Sequence, residues 1–474
     1  MCGIFTVTGI DDAARVAING LKALQGRGHQ SAGGGVFAKG KMRTCKERGP
    51  IDNLERKFAR KPMPGRIALF HTRYATAGAN LLKNTHPFVS KNRRIAVVHN
   101  GEIVGADKLR RELEHQGVKF ESTSDSEVIL RLLEQASGTG IIERVISVLN
   151  RLERAFAVVI VWDGYMIGAV DCKATHPLWL GRIEKNGDVG HCFASEDAAI
   201  MSIDGTPIKE IQPGRVIVIS PNQDQQTFWL KGDRKETCSC SFNIVYTARP
   251  DTCIWGRSVS KAREALGHET FQEMSQSGVL PYVDVIIPVL DSGRTATLAF
   301  AKAYSMWRIL DLLQREGPEV LRQADLNFLM PYDHGINRAH STRSFQVDNQ
   351  EMRDALQLLK HGIDPAIVRG KRVLVGDDSI VRATTSQRII ARLRKYGAIE
   401  VHFVSFSPPV IASCPYGGTE TKDEYLLTAK NRIVEEIRQL IGADSLYYLS
   451  LKGYRKVLSM YGRGYCVGCM SGEF

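Results

Sequence analysis

Val373-Leu-Val-Gly-Asp-Asp-Ser-Ile-Val-Arg-Ala-Thr-Thr-Ser386 is an apolar run that ends in two adjacent carboxylates and then in a Thr-Thr-Ser turn. A short apolar β run followed by a polar turn and a helix is the repeating unit of a parallel α/β sheet, which carries its ligands at the C-terminal strand ends. Val283-Asp-Val-Ile-Ile-Pro-Val289 repeats the pattern, so a parallel sheet is predicted for residues 236–474, closed by a helical tail at Asp423 to Leu440 and Tyr454 to Met460. A loop of backbone N–H groups and hydroxyls before a helix is an anion cradle. Ala383, Thr384, Thr385 and Ser386 are therefore candidates to surround a phosphate, and Asp377 and Asp378 to accept hydrogen bonds from ribose hydroxyls. An Asp pair at a strand end equally suits Mg²⁺ or a helix cap.

Upstream the pattern differs. Arg66 to Thr72, Arg94 to His99 and Phe156 to Trp162 read as strands, and Asp11 to Leu24 and Ser124 to Ala136 carry helical periodicity, the latter with Ser-Asp-Ser-Glu capping residues. Strands with separated helices suggest two sheets enclosed by helix layers. The polar passage Lys231 to Cys238 marks a boundary, giving domains at 2–235 and 236–474.

Composition sets the outer limits. At 474 residues, with 43% hydrophobic and 24% charged side chains, the chain can bury a full core and is neither one small module nor a disordered or coiled-coil protein. The longest wholly apolar run, Ala155 to Trp162, is far short of the roughly 20 residues of a membrane span. A soluble protein without membrane contact is expected. The net charge of +12 favours anionic partners: phosphorylated metabolites, nucleic acid or acidic protein surfaces. The N-terminus lacks the basic and apolar segments of a secretory signal, so a cytoplasmic, reducing location is expected, with the ten cysteines as thiols, nucleophiles or metal ligands.

Cys2 follows the initiator Met, and a small residue there permits Met removal, which leaves a thiol and a free α-amine on one residue. An α-amine with a pKa of about 8 can take the thiol proton, as in N-terminal-nucleophile chemistry. Asn100-Gly101, after an apolar strand, offers a side-chain amide and a flexible backbone N–H for an oxyanion.

Met1-Cys-Gly-Ile-Phe5, Leu24-Gln-Gly-Arg-Gly28, His71-Thr-Arg-Tyr-Ala-Thr-Ala-Gly78, His99-Asn-Gly-Glu-Ile103 and Ser124-Asp-Ser-Glu127 resemble, in order and spacing, the glutaminase domain of class II glutamine amidotransferases. The resemblance implies an N-terminal-nucleophile αββα sandwich, with Cys2 as nucleophile, Asn100 and Gly101 as oxyanion hole, Arg73 on the glutamine α-carboxylate and Asp125 on its α-amino group. Those ionic roles are physically apt, since a guanidinium fork suits a carboxylate and a short anion suits an ammonium.

Val373 to Ser386 resembles the phosphoribosyl-diphosphate (PRPP) signature of phosphoribosyltransferases. Phe242 to Thr252, Pro288 to Gly293, Asn337-Arg338, Arg343-Ser-Phe345 and Gly442 to Leu446 look like segments of the amidophosphoribosyltransferase family, so the likeness runs almost from end to end. It implies conversion of glutamine, PRPP and water to 5-phosphoribosylamine, glutamate and diphosphate, the committed step of purine synthesis, with ammonia crossing an internal channel. It also implies Mg²⁺ at Asp377 and Asp378, PRPP contacts from Ser379, Arg382, Ala383, Thr384, Thr385 and Ser386, and leaving-group neutralisation by Arg343 and by Lys360, 17 residues before Asp377. A homodimer or homotetramer without nucleic acid follows from the same likeness.

Leu290, Gly376, Ala383, Gly26 and His29-Gln30 depart from the family pattern. Ala383 stands at a glycine position and does not readily adopt φ > 0. These departures bear on PRPP use, and a glutaminase serving a different acceptor is the alternative reading. Four cysteines, Cys240, Cys414, Cys466 and Cys469, match the family's cluster-bearing subgroup, with Cys240 chosen over Cys238 by its distance of nine residues from Arg249. Four soft thiolates suit zinc or an iron–sulfur cluster, and the resemblance implies a structural 4Fe-4S cluster. Cys45, Cys172, Cys192 and Cys253 read as buried small apolar residues.

Overall fold

The computed structural model describes residues 1–74, 81–234, 236–318, 331–338, 361–419, 433–460, 462 and 464–474. Its N-terminal half is built on two antiparallel sheets. The seven-stranded sheet runs, edge to edge, Thr206–Glu210, Trp179–Lys185, Asp188–Ala194, Gly3–Thr8, Ile67–Arg73, Ser31–Ala38 and Lys41–Arg48. The six-stranded sheet runs Gln225–Trp229, Arg215–Ile219, Tyr165–Val170, Phe156–Trp162, Ile95–Gly101 and Phe88–Val89.

Period-two alternation decides how they stack. In Phe156–Trp162, Ala157, Val159 and Val161 join Ile4, Leu69 and Phe193 between the two sheets, while Phe156, Val158 and Ile160 face Val128, Leu132, Val145 and Leu149 of helices Ser126–Gln135 and Ile141–Leu149. On the far side of the first sheet, Phe5, Val7 and Phe70 pack on Ala17 and Leu21 of helix Ala13–Ala23 and on Leu54 of helix Ile51–Arg60. The result is the expected αββα sandwich. Six α-helices occupy this half among the described residues, where the periodicity predicted two. Ile51–Arg60 places Ile51, Leu54 and Phe58 at i, i+3 and i+7, a helical spacing the sequence carries although no helix was predicted there.

The C-terminal half holds a four-stranded parallel sheet ordered Val285–Pro288, Arg372–Asp377, Glu400–Ser405 and Ser445–Tyr448. Both faces are buried, as parallel sheets require. Ile286, Leu374 and Val404 pack toward Leu266 and Phe300 of helices Val259–Gln276 and Arg294–Glu316, and Val373, Val375 and Phe403 toward Ile389 and Ile437 of helices Thr384–Lys395 and Val434–Ile441. Helices Val434–Ile441 and Leu451–Ser459 stand for the predicted tail; the first part of that prediction lies outside the described residues.

Gly376 sits where a side chain has no room, because a Cβ there would collide with Thr297 Oγ1 and lie 2.9–3.0 Å from the Phe406 ring. Phe406 and Thr297 occupy the volume that an apolar side chain at 376 would need. Of the four cysteines read as core residues, only Cys192 is buried; Cys45, Cys172 and Cys253 are half-buried.

Candidate active sites

Strand pairing brings the first site together. Gly3–Thr8 runs antiparallel to Ile67–Arg73 with Gly3 opposite Thr72, which sets Cys2 at the level of Arg73. The Tyr74 N–H donates to Cys2 Sγ at 3.3 Å. Gly28, from the Leu24–Gly28 motif, lets its chain lie against Arg73, since a Cβ there would come within 2.7 Å of Arg73 backbone. Arg73 is buried, and burial pulls its pKa down while the charges of Cys2 and Asp125 pull it back up. Thiol, guanidinium and carboxylate thus share one electrostatic neighbourhood.

Asp125 caps helix Ser126–Gln135. One oxygen accepts from Ser126 N at 2.8 Å and the other from Ile103 N at 3.0 Å, so two backbone donors orient the carboxylate. Asn100 Nδ2 donates to Ser195 Oγ at 2.9 Å, and Ile4 N donates to the same hydroxyl at 2.9 Å. Ser195 therefore fixes the Asn100 amide relative to the strand that starts beside Cys2. Gly101 has φ 121°, and a Cβ there would collide with Ala155 O. Met1 is buried, its α-ammonium pushed down to about 6, chiefly by that burial.

Sequence reading missed the group that holds Cys2 from behind. Arg27 Nε donates to Cys2 O at 2.8 Å, its Nη1 pairs with Glu196 at 2.5 Å and its Nη2 donates to Asn243 Oδ1 at 3.2 Å. Glu196 also accepts from Arg249 N at 3.1 Å. The Cys2 carbonyl is thereby tied to the C-terminal half through a buried ion pair. The polar run Ser195-Glu196-Asp197 after Phe193-Ala194 was the available signal. Glu196→Ala leaves the Arg27 charge buried and uncompensated, which lowers the unfolding free energy by about 3–5 kcal/mol. A urea midpoint that barely moves would contradict this.

The second site lies at the end of strand Arg372–Asp377. Asp377 and Asp378 are both buried; Asp378 accepts from Ser292 Oγ at 2.5 Å and from Ser379 Oγ at 2.7 Å. Burial raises the pKa of both carboxyls, and their mutual repulsion adds to the rise at Asp377. Two buried carboxyls side by side favour a shared proton or a cation. Helix Thr384–Lys395 starts immediately beyond, with Ser386 buried and Arg382, Thr384 and Thr385 exposed at its mouth.

Ala383 does adopt the left-handed conformation, at φ 58° and ψ −9°, against the expectation from its Cβ. The surrounding loop holds it there. Ala383→Gly relieves about 1–2 kcal/mol of left-handed strain and loses about 0.4–1 kcal/mol to the freer unfolded chain. Those ranges leave a net gain of about 0–1.6 kcal/mol, read as a urea midpoint that holds or rises at unchanged slope. Arg343 and Lys360 lie outside the described residues.

The cysteines converge at the seam of the two halves. Ser239–Cys240 pairs in parallel with Tyr465–Cys466, Cys240 opposite Cys466. The Ile411 and Ala412 N–H groups donate to Cys469 O at 2.8 and 3.1 Å, and Gly418 N donates to Cys414 Sγ at 3.3 Å. A Cβ on Gly418 would stand 2.8 Å from Cys240 Sγ and 3.3 Å from Cys414 Sγ, so glycine leaves a cradle beside two thiols. Among the described residues no three His, Cys, Asp or Glu side chains close around a single ion. Cys238, which the spacing set aside, hydrogen-bonds with Cys466.

An αββα sandwich with Cys2 beside Arg73, joined to a parallel sheet with an acid pair at a strand end, is an architecture that fits the glutamine amidotransferase class, and the likeness to known proteins assigns it. Residues 71–202 match the family model described as glutamine amidotransferase domain. The chain is 34% identical to the amidophosphoribosyltransferase of Archaeoglobus fulgidus, covering all of this chain and 98% of that one. It is 32% identical to the Bacillus subtilis amidophosphoribosyltransferase, over all of this chain and 94% of the relative. The solved structure of the B. subtilis glutamine PRPP amidotransferase, complexed with ADP and GMP, superposes with a TM-score of 0.83 at 31% identity, covering all of this chain and 97% of that one. The chain belongs to the amidophosphoribosyltransferase family of glutamine amidotransferases, enzymes of the first step of purine biosynthesis. No helix among the described residues is long and apolar enough to cross a membrane.

Proposed function

We propose that Cys2, Asn100, Gly101, Arg73 and Asp125 hydrolyse glutamine, and that the ammonia attacks C1 of PRPP at the Asp377–Ser386 loop to give 5-phosphoribosylamine and diphosphate. The observation that carries this is the common neighbourhood of Cys2 and Arg73, at the ends of two register-locked strands, and Asp125 at the cap of helix Ser126–Gln135. Arg73 holds the substrate carboxylate, Asp125 its ammonium, and the amide carbon comes to rest at Cys2 Sγ. Removal of Met1 frees the Cys2 α-amine, which takes the thiol proton and later delivers it to the departing ammonia. Asn100 Nδ2 and the Gly101 N–H stabilise the oxyanion. The division into units at 2–235 and 236–474 keeps each reaction within one of them.

At the second site Ala383, Thr384, Thr385 and Ser386 hold the 5-phosphate, Asp377 and Asp378 hold the ribose hydroxyls, and Ser379 and Arg382 add further PRPP contacts. Their donor set of carboxylates and the Ser292 and Ser379 hydroxyls is all oxygen, which suits Mg²⁺, and Mg²⁺ when bound neutralises charge on the leaving diphosphate. Arg343 and Lys360 are assigned to the same diphosphate. Cys240, Cys414, Cys466 and Cys469 supply the soft donors of a 4Fe-4S cluster, supported by the space at Gly418 beside the Cys240 and Cys414 thiols and by the pairing of Cys240 opposite Cys466. When bound, the cluster would tie the tail to the seam without entering either reaction. The protein is taken to be a cytoplasmic homodimer or homotetramer that acts on small molecules rather than nucleic acid.

The experiment follows glutamate and diphosphate together in anaerobically purified protein given glutamine, Mg²⁺ and PRPP. Equal release of both is expected. Glutamate without diphosphate would mean that another acceptor is served. Active protein whose intact mass retains Met1 would refute the α-amine as base.

A further inference from the structure

A cavity of about 690 Å³ opens where the edge of the six-stranded sheet, the boundary segment and the C-terminal tail meet. Its walls come from Arg215 and Trp229, from Arg234, Glu236 and Thr237, and from Gly462 and Gly464. None of these residues belongs to either reaction centre. The volume is in the range that accommodates a small metabolite rather than a lone water or ion.

Its chemistry is set by two arginines on one indole. Arg215 and Trp229 are cross-strand partners, and the Arg215 guanidinium stands 4.6 Å from the Trp229 ring centre. The Arg234 guanidinium stands 4.8 Å from the same ring, steadied by one hydrogen bond from Nη1 to Leu230 O at 2.8 Å. Arg215 Nε is enclosed and has no hydrogen-bond partner, although an enclosed donor costs free energy until it is paired. Neither guanidinium has a carboxylate ion-pair partner among the described residues. Stacking on an aromatic face restrains each fork without using its in-plane donors, which leaves two restrained, cationic, multidentate groups facing one volume.

We propose that this cavity is a separate binding site for a small organic phosphate. The phosphate lies between the Arg215 and Arg234 forks, because a doubly charged tetrahedral oxyanion is the ligand that two guanidiniums match best. Gln212, Glu236 and the Thr237 hydroxyl edge the same cavity and suit the hydroxyl or amino groups of the organic part. Thr237 Oγ1 also accepts from Gly464 N at 3.1 Å, so the ligand rests on the contact that holds the tail to the boundary segment. Both segments run directly into Cys240 and Cys466. Occupancy therefore clamps the tail to the N-terminal half and stabilises the folded protein by mass action.

Trp229 is 47% exposed and reports on the site directly. Full-length protein is titrated with inorganic phosphate, inorganic diphosphate, ribose 5-phosphate, AMP and unphosphorylated ribose, following tryptophan fluorescence and the unfolding midpoint. A saturable change with ribose 5-phosphate or AMP is expected, absent in Trp229→Phe and silent with ribose. Arg215→Gln and Arg234→Gln each weaken it by about tenfold or more. Thr385→Val leaves it unchanged, which separates this site from the catalytic phosphate loop. Arg215→Lys keeps the charge but loses the fork, and it falls between wild type and Arg215→Gln. The proposal is overturned if no Trp229-dependent change appears below about 10 mM of any phosphate. Binding undiminished in both arginine variants also overturns it. Inorganic phosphate or diphosphate binding as tightly as AMP would refute the organic part of the assignment.

Discussion

Cys2→Ala protein makes phosphoribosylamine from ammonia at close to the wild-type rate and from glutamine at a rate lowered by about 10⁴-fold or more. The split follows from where Cys2 sits. Its sulfur accepts one hydrogen bond, from Tyr74 N, and its carbonyl is held by Arg27, an interaction that alanine keeps. The substitution removes the proposed nucleophilic thiol and leaves the sandwich, the Arg27–Glu196 pair and the parallel sheet in place. Ammonia supplied from solution bypasses the missing thioester and meets PRPP at an intact second site. Parallel measurement of both nitrogen sources at saturating PRPP checks this. An equal fall in both would show that Cys2 acts through structure, and undiminished glutamine use would remove it from the chemistry.

Asp377→Asn and Asp378→Asn give the complementary result: glutamine hydrolysis survives while kcat/KM for PRPP falls by about 10²-fold, ~2.7 kcal/mol of transition-state stabilisation. Both side chains are buried, and burial raises both carboxyl pKa values. In the free protein the pair is therefore costly to ionise, and replacing one member with a neutral isostere relieves repulsion. Thermal stability without ligand should hold or rise in Asp377→Asn, even as PRPP-dependent diphosphate release collapses. A drop in stability matching the loss of activity would recast the pair as a structural element. For a group whose folded pKa is raised, the protonated form is the one folding favours. The pair's contribution is thus complete below the ordinary carboxylate pKa and is lost as pH rises through the folded value. Wild-type protein without ligand should accordingly lose stability across that window, and Asp377→Asn should lose less.

Much of this molecule is legible along the chain because the relevant signals are short-range. Phe156–Trp162 is a short, continuous apolar run rich in β-branched residues, which fits a strand buried on both faces, and the structure turns Ala157, Val159 and Val161 to one layer and Phe156, Val158 and Ile160 to the other. The acid pair and the Thr-Thr-Ser turn mark a strand end and a helix start within ten residues of one another. The helices Ile51–Arg60, Ala106–His115 and Ile141–Leu149 were not predicted. Ile51–Arg60 and Ala106–His115 are short and mostly charged, so few apolar residues mark each stripe, whereas Ile141–Leu149 carries Ile141, Val145, Val148 and Leu149 at helical spacing that was legible in the chain.

What the amino-acid sequence determined by itself was the apolar strand segments, the acid pair ahead of its Thr-Thr-Ser turn and the cysteine directly after Met1. Each is a property of residues a few positions apart, where backbone geometry links spacing to direction. Only the tertiary structure decided that Arg27 meets Glu196 across 169 positions, that Gly376 yields its volume to Phe406 and Thr297, and that Ala383 is held at φ 58°. Closure of the fold also set Arg215 and Arg234 on one indole and brought Cys238 against Cys466. Those outcomes depend on which distant surfaces share a volume. A buried charge or a strained dihedral is tolerable only where that shared volume supplies its partner.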